Sequence, residues 1–124
     1  MATNGLRRSI LVVDDDPNVL KMLSMILTGA GYRVVEAADG KEAVVRFSES
    51  PTDMLITDLI MPEQEGVETI TRLLREQPRL KTIAISGALR GNYLRMAGAL
   101  GAQALLQKPL SKQDLLATVK RLFA

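Results

Sequence analysis

Five times along this chain a short apolar run gives way to a segment whose apolar residues recur at helical spacing. That alternation constrains the fold more than any single motif. Ile10–Val13 is apolar throughout, as a strand must be when helices cover both of its faces and no solvent side is left to mark with polar residues. Tyr32–Glu36, Met54–Thr57, Thr82–Ile85 and Ala104–Gln107 are the remaining strand candidates. Between them run helical stripes: Val19, Leu23, Ile26 and Ala30; Ala43, Val44 and Phe47; Val67, Ile70, Leu73 and Leu74. A weaker helix is expected over Asn92–Leu100, loosened by Gly98, and a last one carries Leu115, Leu116, Val119, Leu122 and Phe123.

The punctuation agrees. Asp16-Pro17 pairs an N-cap with a proline suited to the first helical position, and Gly29 and Gly31 stop the helix that follows. Asp39-Gly40 opens the second helix, Pro51 marks a loop and Pro78 ends the third helical pattern. Regular strand–helix alternation predicts an α/β fold, a doubly wound (βα)5 domain with a parallel sheet and helices on both faces. At 124 residues the chain suits one domain over 1–124, with 1–7 expected as a flexible N-terminal segment and no output domain after the last helix.

In an open parallel sheet, ligands bind at the carboxyl ends of the strands. The first strand candidate ends in Asp14-Asp15-Asp16, the third in Asp58, the fourth in Ser86-Gly87 and the fifth in Lys108. Neighbouring carboxylates repel one another unless a cation lies between them. Asp14, Asp15 and Asp58 together suit a cation held by oxygen. The chain has no cysteine and no histidine, which excludes thiolate and imidazole ligands and points to a hard ion such as Mg²⁺. A carboxylate can itself act as a nucleophile toward phosphorus. Mg²⁺ on one side and the Lys108 ammonium on the other would neutralise the phosphoryl oxygens. The Ser86 hydroxyl would donate to one of them, and Gly87 leaves its backbone N–H open to close approach. Asp16 is read as a helix cap, and Asp39 and Asp53 as turn residues. Arg72, Arg75, Arg79 and Lys81 are read as a solvated helix face.

Taken in order and at their spacing, these pieces resemble the receiver domain of two-component response regulators, the CheY-like family. The matching segments are Ile10-Leu11-Val12-Val13-Asp14-Asp15, Asp58-Leu59-Ile60-Met61-Pro62 with Gly66, Ser86-Gly87 and Lys108-Pro109, with Glu36–Gly40 and Leu100–Ala102 in support. The resemblance implies strand order 2-1-3-4-5, Asp58 as phosphoacceptor, and Asp14 and Asp15 as the acidic pair. It implies the Ile60 backbone carbonyl as a third protein ligand to Mg²⁺, phosphoryl contacts from the backbone of Ile60 and Gly87, and a cis Lys108-Pro109 bond. Ser86 takes the family's hydroxyl role. The phosphodonor would be a phosphohistidine on a sensor histidine kinase or a histidine phosphotransfer protein. Output to an unknown partner would pass through the surface of the fourth helix, fifth strand and last helix. Leu105 stands where receivers often carry a switching Tyr or Phe. The apolar side chains of Ile60 and Ala88 would flank the acceptor and restrict attacking water.

Other classes fit less well. Asp14-Asp15-Asp16 satisfies the Asp-x-Asp pattern of haloacid-dehalogenase-type phosphatases, but only Asp114 follows Lys108 as a further acidic residue. The domain is therefore expected to be a phosphoacceptor rather than an enzyme with turnover. A degenerate receiver used only for binding would lack part of the acidic set or the lysine, and this chain has all of them. The formal charge of +2 and four aromatic residues give no basis for direct nucleic-acid binding. No apolar stretch is long enough to span a membrane, and the chain is expected in the cytoplasm.

Overall fold

Strands without a polar face must be covered twice, and here they are. The computed structural model describes residues 7–59, 65–87, 98 and 101–124. Among these the chain forms β1 (Ser9–Val13), α1 (Pro17–Gly29), β2 (Arg33–Ala37), α2 (Gly40–Glu49), β3 (Met54–Asp58), α3 (Glu65–Glu76), β4 (Lys81–Ser86), β5 (Ala104–Gln107) and α4 (Lys112–Phe123). The strands make one parallel sheet in the order β2-β1-β3-β4-β5. The expected α/β class and strand order hold. The helix expected over Asn92–Leu100 falls almost wholly outside the described residues; Gly98 alone is described, and it is helical.

Successive side chains of a strand point to opposite faces, so each apolar strand feeds two cores. Ile10 and Val12 of β1 join Met54 and Ile56 of β3 and Ile83 and Ile85 of β4 in one layer. There they pack on Leu20, Leu23 and Leu27 of α1 and Leu115 and Val119 of α4. Leu11 and Val13 face the other way with Leu55 and Ala84, against Ala43 and Phe47 of α2 and Ile70 and Leu73 of α3. All five residues of β1 are buried, as a central strand requires.

Helix starts follow the caps. The Asp16 side chain accepts the Asn18 N–H at 2.9 Å, with Pro17 in the first turn of α1. Asp39 accepts the Glu42 N–H at 2.8 Å as the N-cap of α2, and Glu42 Oε1 reaches back past the cap to accept the Ala38 N–H at 2.7 Å. Asp53 ties the loop before β3 to β1 by accepting from the Ser9 N–H at 2.9 Å and the Ser9 hydroxyl at 3.2 Å. These three aspartates act structurally, as read from the sequence.

Three details differ from the sequence reading. Arg79 and Lys81, read with Arg72 and Arg75 as one solvated helix face, lie beyond the end of α3; Arg79 sits in the turn that follows, and Lys81 is the partly buried first residue of β4. The stripe of α1 is centred on Leu20, Leu23 and Leu27, with Val19 and Ile26 only partly buried and Ala30 exposed as the C-cap. Strand β2 starts at Arg33 rather than Tyr32. The Tyr32 N–H is committed to Leu27 O, at 3.1 Å, in the turn that closes α1, where Gly31 adopts φ +99°.

The order β2-β1-β3 places the switch in winding direction between β1 and β3. Adjacent crossovers there leave toward opposite faces and open a crevice at the carboxyl edge. Asp14 and Asp58 stand at the two strand ends that border it.

Candidate functional site

Asp14 directly follows β1 and is fully buried. Its backbone N–H donates to Ala37 O at 3.3 Å, continuing the β1–β2 ladder past the strand end. Its Oδ1 accepts the Asp16 N–H at 2.9 Å. Its Oδ2 is buried and receives no hydrogen bond, although the Lys108 ammonium stands 3.2 Å away. That ammonium directs its hydrogen bond to Asp58 Oδ2, at 2.8 Å. Lys108 thus bridges the carboxylates that close β1 and β3.

Asp58 is the last residue of β3, 4% exposed, and pairs with Ile85 in β4. Asp15 is exposed at the rim. One carboxylate oxygen from each of Asp14, Asp15 and Asp58 lies within 4.8 Å of the others. Ser86 is the buried final residue of β4, and its carbonyl accepts the Lys108 N–H at 2.9 Å. The ends of β4 and β5 are therefore locked together beside the cluster. The Lys108-Pro109 bond is cis.

The charges respond to this crowding. Burial pushes the Asp14 carboxyl above its ordinary pKa, and the Asp58 charge adds to the effect. The Asp16 N–H and Lys108 offset only part of it. Burial alone would lower Lys108, but the hydrogen bond and charge of Asp58, with the charge of Asp14, hold it above its ordinary value. Three carboxyl groups thus gather around one ammonium. The cluster's donors are all oxygen, and one of them is a buried oxygen atom with no hydrogen bond. These residues fit a hard divalent cation such as Mg²⁺.

The structure thus brings together Asp14, Asp15, Asp58 and Lys108, with Ser86 at the neighbouring strand end. Ile60 and Ala88 lie outside the described residues. Gly87 is exposed, and among the described residues a Cβ there would meet only Lys108 Cδ, at 3.9 Å. Leu105 pairs with Ala84 and is partly buried against the α2–α3 core layer. Asp16 is spent as a cap and Asp114 lies in the first turn of α4, so neither joins the cluster. Sequence reasoning missed the contact of Lys108 with Asp14. It also missed the Thr57 hydroxyl, which donates to the Asp58 carbonyl at 3.1 Å. A buried threonine in an otherwise apolar strand was the one available signal for the latter.

A doubly wound sheet with an acidic cluster and a lysine at its switch point defines a flavodoxin-like α/β domain built to gather charge at one edge. The family model for the response regulator receiver domain matches residues 10–120. The chain belongs to that family. It is 33% identical over 116 residues to the chemotaxis protein CheY of Treponema pallidum, covering 91% of this chain and 81% of that protein. It is 30% identical to the response regulator GtcR of Aneurinibacillus migulanus, over 93% of this chain but 47% of the relative. The chain thus spans about half the length of that relative, and 48% of the regulator PhoP of Bacillus subtilis. Among solved structures, a receiver domain protein from Methanospirillum hungatei superposes with TM-score 0.87 at 29% identity, covering 93% of this chain and 92% of that one. A CheX-CheY-BeF3-Mg²⁺ complex from Borrelia burgdorferi gives 0.89 at 27% identity, over 98% and 92%. No helix among the described residues is long and apolar enough to cross a membrane.

Proposed function

We propose that this receiver domain accepts a phosphoryl group on Asp58 from the phosphohistidine of a sensor histidine kinase or a histidine phosphotransfer protein. The observation that carries the reading is the acceptor's setting: Lys108 Nζ at 2.8 Å from Asp58 Oδ2, with the Asp14 and Asp15 carboxylates alongside. A carboxylate oxygen of Asp58 attacks phosphorus, the phosphorus–nitrogen bond of the donor breaks, and a mixed anhydride forms. Such a transfer needs positioning and charge neutralisation more than covalent chemistry from the protein. Asp14, Asp15 and Asp58 would hold Mg²⁺, which supplies positive charge to the phosphoryl oxygens. Lys108 neutralises from the other side and Ser86 donates its hydroxyl. The similar structure described as holding BeF3 and Mg²⁺ supports this assignment by likeness.

The domain then acts as a phosphoacceptor, not as an enzyme with steady turnover. Lys108 is the link to output: it follows β5 directly, so drawing it toward a phosphoryl group pulls on the β5–α4 connection. A groove of about 370 Å³ beside it, lined by Leu106, Pro109, Leu110 and Ser111, is where a partner would feel the change. The test is intact mass after incubation with acetyl phosphate. A single Mg²⁺-dependent phosphoryl adduct, lost in Asp58→Asn, is expected. A folded wild-type protein that takes no adduct under any condition would refute the reading.

A further inference from the structure

The backbone of Asp58 is gripped more closely than the chemistry of its side chain accounts for. Gly66, the second residue of α3, lies so near β3 that a Cβ there would stand 2.0 Å from the Asp58 carbonyl oxygen. It would stand 2.9 Å from Leu59 O and 3.0 Å from the Asp58 carbonyl carbon. All three are backbone atoms, so no rotamer change relieves the clash. Non-bonded carbon contacts settle at about 3.5–4.0 Å, so one methyl group would drive α3 and the Asp58 peptide apart by more than about 1 Å. The glycine is required for space, since its φ lies outside the left-handed region.

The same carbonyl has a second constraint. Thr57, fully buried, donates its hydroxyl to Asp58 O at 3.1 Å. The next peptide is fixed too, with the Leu59 N–H donating to Ile85 O at 2.8 Å. An acceptor carboxylate that must meet Lys108 at 2.8 Å and share a cation with Asp14 and Asp15 has little room to swing. Its direction is set by the backbone that carries it.

We infer that Gly66 and Thr57 are positioning residues for phosphoryl transfer to Asp58. Gly66 lets α3 close against the acceptor's carbonyl, and the Thr57 hydroxyl fixes that carbonyl from within β3. The inference rests on the phosphoacceptor reading above.

The test follows the phosphorylation of wild type, Gly66→Ala, Thr57→Val and Thr57→Ser with acetyl phosphate at saturating Mg²⁺. Intact mass is read against time, well below each variant's melting temperature. Gly66→Ala is expected to lower the maximal rate by about 100-fold, the effect of misplacing a reacting group by about 1 Å. Thr57→Val is expected to lower it about fivefold, the scale of one lost hydrogen bond, with the half-saturating acetyl phosphate concentration unchanged. Thr57→Ser is expected to restore the rate to within about twofold, because it returns the donor. A purely structural role would lower melting temperatures while leaving the rates of the folded proteins alike, and that result overturns the inference. If Gly66→Ala does not fold, the Thr57 pair decides: equal rates for Val and Ser variants overturn it. Absence of an adduct on wild type refutes the phosphoacceptor reading itself. A wild-type adduct with unaltered variant rates refutes the positioning role alone.

Discussion

Asp14→Asn should make the metal-free protein more stable. Asp14 is fully buried, and its Oδ2 receives no hydrogen bond. Its folded pKa is raised above 3.8, chiefly by burial and then by the Asp58 charge, so folding favours its protonated form. Between 3.8 and that raised value the native state binds more protons than the unfolded chain, and stability falls as pH rises through the window. At neutral pH the whole cost of the buried charge is in place. Asparagine keeps an oxygen for the Asp16 N–H and removes the charge. A buried, unsatisfied acceptor costs about 1–3 kcal/mol; since Lys108 offsets part of this, the expected gain is about 1–2 kcal/mol. For a domain of this size that is a rise in Tm of about 4–8 °C. The assay is thermal denaturation at pH 7 and low salt with a chelator present. The gap between variant and wild type should close as pH falls through the raised pKa, because wild type then neutralises Asp14 by protonation. Adding Mg²⁺ should reverse the ranking. A ligand at ten times its Kd stabilises its binder by about 1.4 kcal/mol, and the variant has lost a ligand. A variant that melts below wild type in chelator would refute the claim that Asp14 is held ionised at a net cost.

Lys108→Met removes the countercharge for two buried carboxylates and should destabilise the chelated protein by about 1–3 kcal/mol in urea titrations; unchanged stability would show the bridge to be energetically idle. Asp39→Ala deletes the cap of α2, and should cost about 1 kcal/mol by the same measurement. Leu55→Ala, at a fully buried site within β3, should cost about 2–5 kcal/mol, with the m-value unchanged if the native sheet is retained.

Much of this was legible in the residues because burial on both faces leaves a local signature. A strand with no solvent side shows no polar alternation, and β1, β3 and β4 could be found from their composition alone. The cap Asp16 was legible for the same reason, since a cap bonds residues two or three positions away, whereas Asp39, read as a turn residue, turns out to cap α2. Boundaries were less so. Tyr32 has strand propensity, yet its N–H is taken by the closing turn of α1, a competition that propensity does not register.

The site divides along the same line. Strand ends carrying Asp14, Asp58, Ser86 and Lys108 marked its membership, because a parallel sheet collects its carboxyl edge in one place whatever the loops do. The sequence by itself therefore determined the fold class and which strand ends would gather at one edge. Which carboxylate would bear the cost of burial was decided only by tertiary structure. Asp14 and Asp15 are neighbours of identical chemistry, yet one is sealed beneath the β1–β3 crevice and the other lies in solvent. The bridge from Lys108 to both acids and the seating of Gly66 on the Asp58 carbonyl are likewise tertiary. Periodicity reports how each segment meets solvent, whereas desolvation, ion pairing and steric clearance depend on atoms contributed by segments 50 residues apart.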